Sequence, residues 1–281
     1  MNIDLAQAKR QLNQTAGSYA DAAIIPREVQ ERLVDRLSFI KCQPAIIVDI
    51  GCGDGTLLNA LRPLYPTAHY VGLDLAISRL DNRNMTSVCA DAHQLPFADH
   101  SIDLIISSLA LHWTLDLEKV LGEISRVLKP QGLLMFSTLG PDTLLPLTKA
   151  FGEDTAQHVL PFYDMHDIGD GLLRNHFVDP VMDAEHITVN YSTTQRLFDD
   201  LRAMGETQLL STRRKTLTGK KRWQQMLEKL IKQKNDNALP IPFEIIYGHA
   251  WGAEKPKTTS SGREFRVSIA DIPIRRQPTT P

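Results

Sequence analysis

The sequence predicts a doubly wound, mostly parallel α/β sheet of seven strands, with a helical cap inserted between the sixth and seventh. Three observations predict it. Short apolar runs alternate with helical stripes from residue 45 to residue 138, the order that packs a parallel sheet between two layers of helix. Several of those runs are nearly all apolar rather than alternating, as strands buried on both faces must be. The sixth run, Val181–Val189, and the seventh, Phe243–Trp251, are separated by about fifty residues, too many for an ordinary connection.

Taken in order, residues 1–26 are polar and rich in small residues, with Tyr19 as their one aromatic, and 14–21 reads as a helix followed by a loop. Arg27–Lys41 carries Val29, Leu33, Val34, Leu37 and Ile40, a helical stripe suited to lie on a sheet. Ala45–Ile50 is the first strand, apolar except for Asp49, and Gly51, Gly53 and Gly55 follow at once before a helix over Leu57–Leu64. Strand, glycine turn and helix build a small-molecule site at the carboxyl edge of an open sheet. Glycine lets backbone approach a ligand closely, and the helix start offers unpaired N–H groups.

The spacing G-x-G-x-G is not the dinucleotide fingerprint, because Thr56 stands where a third glycine is required, and no Gly-Lys-Ser/Thr phosphate loop follows. Asp49 and Asp54 disfavour a pyrophosphate and favour a cation. S-adenosylmethionine, with its sulfonium and ammonium, fits. Tyr70–Asp74 is the second strand, ending in an acid placed to accept both ribose hydroxyls. Ser87–Ala92 is the third, and its Asp91 can accept from an adenine amino group.

Ile102–Ser108 is the fourth strand, its end pointing to the same edge. His112 and Trp113 beyond it are candidates for a substrate pocket, against a core tryptophan and a capping histidine. Leu117, Val120, Leu121, Ile124, Val127 and Leu128 give the clearest amphipathic helix. Lys129–Gly132 reads as a turn with proline second, and Leu133–Thr138 as the fifth strand. Asp164 and His166 could suggest a metal pair, but an aspartate capping the helix that follows is the simpler reading, and no metal site is expected. Thr193–Met204 and Lys220–Lys234 read as helices of the cap, about 191–238. From Arg213 to Lys234 there are nine Lys or Arg and one acid, Glu228, a basic face that either steers an acidic partner or is simply solvated. Residues 254–281 read as a flexible tail, with Arg266–Ile269 as a possible edge strand.

The chain of 281 residues has 31 Lys and Arg against 33 Asp and Glu, net −2. That balance gives no global attraction to nucleic acid or a membrane surface, and no apolar run reaches the ~18–20 residues of a membrane helix. The amino end lacks a secretory pattern. Cys42, Cys52 and Cys89 lack metal-ligand spacing and read as reduced, structural residues of a cytoplasmic protein.

The set Val-Asp-Ile-Gly-Cys-Gly-Asp-Gly (48–55), Gly-Leu-Asp (72–74), Ala-Asp-Ala-His-Gln-Leu-Pro-Phe (90–97), the stretch from Phe97 to Asp103, and Leu-Lys-Pro-Gln-Gly (128–132) resembles the class I, Rossmann-like S-adenosylmethionine-dependent methyltransferases. The resemblance implies that Gly51, Gly53, Asp74, Asp91 and Ala92 touch the cofactor, with Asp49, Cys52, Leu75 and Ser108 completing the expected set and S-adenosylhomocysteine as product. It also implies that the 1–26 segment folds over the site as a lid, with Tyr19 closing on the donated methyl, and that the methyltransferase domain runs over 27–253.

The carboxyl half resembles the malonyl-acyl carrier protein O-methyltransferases of biotin synthesis, through Ser137–Leu144, Asp164–Asp170, Phe177–Asp183, Asp200–Gly205 and Tyr247–Gly252. This implies malonyl-acyl carrier protein as partner, with Arg213 or Arg214 meeting the substrate carboxylate. The neighbouring Gln208–Ser211 departs from the family pattern, which leaves the role of each arginine open. Two alternatives stay open at this point: a protein arginine hydroxylase of the complex I assembly type, which shares the fold, and a non-catalytic cofactor-binding module.

Overall fold

The structure is a computed structural model that describes residues 4–15, 17, 24–80, 84–114, 116–152, 158–205, 210 and 218–254. Tyr19, Arg213, Arg214 and the 255–281 part of the tail lie outside the described residues. Within them the order is α1 (Leu5–Thr15), α2 (Ile24–Ser38), β1 (Ile46–Ile50), α3 (Thr56–Leu61), β2 (His69–Asp74), β3 (Thr86–Cys89), β4 (Ile102–Ser108), α4 (Leu117–Val127), β5 (Leu128–Leu139), α5 (Leu145–Phe151), α6 (Met165–Arg174), β6 (Phe177–Tyr191), α7 (Thr194–Met204), α8 (Lys220–Ile231) and β7 (Leu239–Gly252). Single 3-10 turns at Ile77–Arg79 and Leu111–Trp113 follow β2 and β4.

The described strands form one seven-stranded sheet in the order β3-β2-β1-β4-β5-β7-β6. β1 to β5 pair in parallel, while β7 runs antiparallel to both β5 and β6. The order reverses between β1 and β4, the switch point where an open α/β sheet leaves a crevice.

The central strands feed two cores. Ile47, Leu104, Ile106, Leu133 and Met135 pack on one face with α2, α3, α7 and α8. Val48, Ile50, Ile105, Leu134 and Phe136 pack on the other with α4 and α6. Successive strand side chains point to opposite faces, so covering both faces requires an unbroken apolar run. The predicted helix stripe is borne out on α4: Leu117, Val120, Leu121, Ile124 and Val127 are all buried. Asp116 caps that helix by accepting from Lys119 N.

Boundaries differ where tertiary pairing extends an element. β6 and β7 run past 181–189 and 243–251 because they pair from Phe177↔Gly252 to Tyr191↔Leu239. The predicted turn at 129–132 lies inside β5, which starts at Leu128: the register with β4 jumps from Ile102↔Leu128 to Leu104↔Leu133, with Gln131 at φ 60°. The turn is a bulge absorbed by the strand. β3 stops at Cys89, so Asp91 stands in the loop beyond it. α1, Leu5–Thr15, precedes the helix and loop read at 14–21, of which 16 and 18–21 lie outside the described residues. α2 begins at Ile24, three residues before the predicted start, with Pro26 in its first turn where a missing N–H costs nothing. The three cysteines are free; Cys52 is buried, and Cys89 is exposed with its thiol donating to Leu75 O.

Arg32 and Arg36 of α2 pair with Glu185 and Asp183 of β6, and the Arg36 guanidinium lies 3.9 Å from the centre of the Tyr247 ring. These ties hold α2, one wall of the crevice, onto the antiparallel part of the sheet. Phe136 of β5 is fully buried opposite Gly248 of β7, and a Cβ on Gly248 would lie 2.4 Å from its ring. Gly248→Ala is therefore expected to lower stability by about 1–3 kcal/mol, and Phe136→Leu in the same chain to recover part of the loss, as measured by urea unfolding.

Candidate functional site

A pocket opens at the carboxyl ends of β1, β2 and β4. Its floor is Ile50, Gly51, Cys52, Gly53 and Asp54 from the first turn, Leu73, Asp74 and Leu75 from the second strand end, Ala90, Asp91, Ala92 and His93 after β3, and Ser108 to Leu111 after β4. Of the nine expected cofactor residues, eight line this pocket. Asp49 does not; it is 1% exposed, within β1.

The turn is shaped by its backbone. Gly51 and Gly53 sit at φ 77° and 54°, a region that costs other residues roughly 1–2 kcal/mol. Gly51 N and Cys52 N donate to Leu73 O at 2.7 and 3.1 Å. A Cβ on Gly51 would stand 2.3 Å from the Ala110 Cβ, whereas in front of Gly53 nothing lies within 4 Å. The first glycine is thus required by neighbouring protein, and the second leaves open space facing the pocket.

Asp74 is buried and ties the turn to β2: its Oδ2 accepts from Gly53 N at 3.1 Å and its Oδ1 from Ala76 N at 2.8 Å. Each carboxylate oxygen keeps a lone pair for a ligand hydroxyl. Asp49 has a buried Oδ1 with no hydrogen-bond partner. Burial, then the charges of Asp74 and Asp54, push its carboxyl well above the usual range. The same burial, with Asp49 and Asp74, pushes the Cys52 thiol far up, so it stays a thiol and is no nucleophile. For Asp91, burial acts upward, but the backbone N–H and ring of His93 outweigh it and hold the carboxyl below its ordinary value.

The opposite wall comes from far along the chain. α1 contributes Ala8 and Leu12, α2 Ile25, Pro26 and Gln30, the loop after β5 Thr143 and Leu144, and α7 Leu201 and Met204, with Phe162 and Phe243 between them. The loop leaving the fifth strand, with Thr143 and Leu144, is expected from the sequence to overlook the site, but none of the other residues is named by it, because no local spacing relates them to the glycine turn. Arg79, His93 and Thr114 also line the pocket and were missed; His93 alone carried a signal, within the stretch after Asp91. Of the two pocket candidates after β4, Trp113 lines the pocket, but His112 does not: it is 3% exposed and packs its ring against Trp113 and Phe162. Asp164 is the cap of α6, accepting from His166 N at 2.8 Å. Among the described residues, Asp142, His186 and Glu244 bring ligand atoms within 4.8 Å of one another, away from the pocket floor. There Glu244 Oε2 accepts from Asp142 N at 2.8 Å and fastens the loop after β5.

Among the described residues lining the pocket, the carboxylates are Asp54, Asp74 and Asp91, against one arginine, Arg79. Arg79 is turned toward α1, donating to Leu12 O and Thr15 Oγ1. A cradle of this kind suits a nucleoside bearing positive charge.

Residues 48–136 match the family model described as a methyltransferase domain. The fold is that of a Bacillus subtilis protein of known structure, YcgJ: TM-score 0.58, 17% identity, 79% of this chain and 98% of that one. The fold is the Rossmann-like fold of the class I methyltransferases. Malonyl-[acyl-carrier protein] O-methyltransferase 1 of Coxiella burnetii is 42% identical over 276 residues, 98% of this chain and 97% of its own length. The malonyl-[acyl-carrier protein] O-methyltransferase of Gallionella capsiferriformans is 40% identical over 89% of this chain and 91% of its own. The chain belongs to the malonyl-acyl carrier protein O-methyltransferase family.

Asp49 gives a pH prediction. The folded protein holds its proton above the ordinary carboxylate value of 3.8, whereas the unfolded chain releases it there. Stability must therefore fall as pH rises between the two values. Asp49→Asn removes that dependence, so the variant's stability relative to the parent chain should grow from pH 4 upward in ligand-free thermal unfolding. Parallel stability curves would remove Asp49 as a buried neutral acid.

Proposed function

We propose that the pocket binds S-adenosylmethionine and that the enzyme methylates the free carboxylate of a malonyl thioester on acyl carrier protein, giving the methyl ester that primes pimeloyl and biotin synthesis. The observation that carries the cofactor reading is the acid-rich glycine turn: the buried Asp49 Oδ1 has no hydrogen-bond partner, and burial with the charges of Asp74 and Asp54 raises its carboxyl. Asp74 is placed for the ribose hydroxyls and Asp91 for the adenine amine. The family membership carries the substrate reading. The curated relatives are named as methyltransferases, which favours neither the hydroxylase nor the non-catalytic alternative.

S-adenosylmethionine, when bound, supplies a methyl group on a positively charged sulfur; an O–C bond forms as the C–S bond breaks, and the electron pair stays on sulfur. The acceptor carboxylate is already ionised at neutral pH, so no residue has to remove a proton. The chain's task is to align the acceptor and exclude water. Leu139, Leu144, Phe162, Leu201, Met204 and Phe243 supply an apolar wall for that purpose. The acids hold a cationic cofactor more strongly than its neutral-sulfur product, which favours release after transfer.

The 1–26 segment acts as a lid, with Tyr19 over the methyl group. Its described helix supports this: α1 lines the pocket, and Asn13 is joined to Ser78 through Ser78 N and Oγ at 3.0 and 2.7 Å from its Oδ1. The 191–238 insertion acts as the substrate-side cap, since α7 reaches the pocket. Arg213 or Arg214 meets the malonyl carboxylate, because an unpaired charge leaving water costs ~3–5 kcal/mol. The basic α8 face, with Lys220, Lys221 and Lys229, receives the acidic carrier protein in the cytoplasm. Among the described residues no helix is long and apolar enough to cross a membrane.

Malonyl-acyl carrier protein with labelled S-adenosylmethionine should gain one methyl group, read as labelled ester and as a methylene's mass; added oxygen instead would indicate hydroxylation. Gly51→Ala should lose cofactor affinity by at least about tenfold, since one 1.4 kcal/mol step suffices for that; calorimetric titration reads it. Alanine at the working arginine, Arg213 or Arg214, should cost about a hundredfold in kcat/KM, and unchanged kinetics would remove that residue from the role.

A further inference from the structure

His93 lines the pocket and has no part in the reading proposed above. Its backbone N–H donates to Asp91 Oδ1 at 2.9 Å, and its ring Nδ1 stands 2.6 Å from the same oxygen. Its other nitrogen, Nε2, lies 2.8 Å from Thr114 Oγ1. Thr114 is fixed in turn: its hydroxyl oxygen accepts from Asp116 N at 3.2 Å, and its N donates to Leu111 O at 3.1 Å. Both side chains line the pocket, and the His93 side chain is 19% exposed.

The proton positions follow from these partners. Asp91 is held ionised, so it only accepts, and His93 Nδ1 must carry the hydrogen between them. Thr114 oxygen already accepts from Asp116; with a neutral ring its own hydrogen goes to Nε2, and with a charged ring Nε2–H goes to Thr114. Nδ1–H faces Asp91 in either state. Two donors thus occupy Oδ1, which leaves Oδ2 of this pocket-lining carboxylate as the oxygen to accept from a ligand.

We infer that His93, held by Thr114, is a positioning residue that makes the cofactor site selective for a purine with an exocyclic 6-amino group over one with a 6-oxo group. An acceptor-only oxygen pairs with an amine and leaves a carbonyl facing it unpaired, which a site built for hydrogen bonding rejects strongly. The inference rests on the reading of this pocket as an S-adenosylmethionine site and adds to it the residue that fixes base choice.

The test is calorimetric titration of the full chain with S-adenosylhomocysteine and with its deaminated analogue S-inosylhomocysteine. The parent chain should prefer the first by about tenfold or more. His93→Ala should lose about tenfold of that preference, Thr114→Val part of it, and His93→Asn, whose amide can still donate to Asp91, should restore it. Asp91→Asn provides a reading independent of His93 removal. With His93 in place the donors at Oδ1 force the amide oxygen inward and the NH2 toward the ligand, so preference should invert to the 6-oxo base; adding His93→Ala should shrink the inversion. Equal preference in the parent chain and His93→Ala, or an Asp91→Asn protein that does not invert, would overturn the inference. A parent chain that binds neither nucleoside would overturn the cofactor reading itself, and the inference with it.

Discussion

The hydrogen bond from Gly53 N–H to the Asp74 carboxylate is the constraint on which the rest of the molecule depends. It joins the turn after β1 to the end of β2, and with the donations of Gly51 and Cys52 to Leu73 O it pins three successive residues to the neighbouring strand. That geometry is accessible only with left-handed backbone at Gly51 and Gly53. Ala110 closes the space behind Gly51, while the space before Gly53 stays open. One interaction therefore fixes where protein ends and ligand begins.

The acids beside that turn create a local imbalance within a chain of net charge −2. Asp49 inside β1 cannot be solvated, so burial, with Asp74 beside it, pushes its carboxyl up and favours the protonated form. The charge left at the site is that of Asp74 and Asp54, and it suits a cationic ligand. This is the same physics by which phosphate loops, with basic residues and free N–H groups, are completed by an anion. The sign of the nearby side chains, more than the glycine spacing, separates the two.

Around this cradle the sheet provides stiffness and the peripheral elements provide the wall. β1 and β4 are buried on both faces and meet at the switch point, so the cradle sits on the buried centre of the sheet. The wall comes from α1, α2, the loop after β5, α7 and β7, carried there by the antiparallel β6–β7 pair and by the ion pairs of Arg32 and Arg36. A rigid floor with a wall assembled from separate segments suits a reaction that needs alignment and dryness rather than a proton-transferring residue.

The sequence by itself determined the parallel sheet, the glycine turn, the acids at successive strand ends and the amphipathic α4. Each is written in local order: continuous apolar runs, positions that tolerate positive φ, and a helical period. Tertiary structure decided what has no local period. It drew the 129–132 turn into β5, lengthened β6 and β7 through their mutual pairing, and kept Asp49, already expected in the first strand, off the pocket wall. It buried His112 against Phe162 and Trp113, and it brought Leu12, Gln30, Met204 and Phe243 to one cavity. It also set His93 between Asp91 and Thr114, twenty-one residues apart along the chain from the latter. Contacts between distant segments depend on how the cores pack, and packing is a property of the whole fold rather than of any stretch within it.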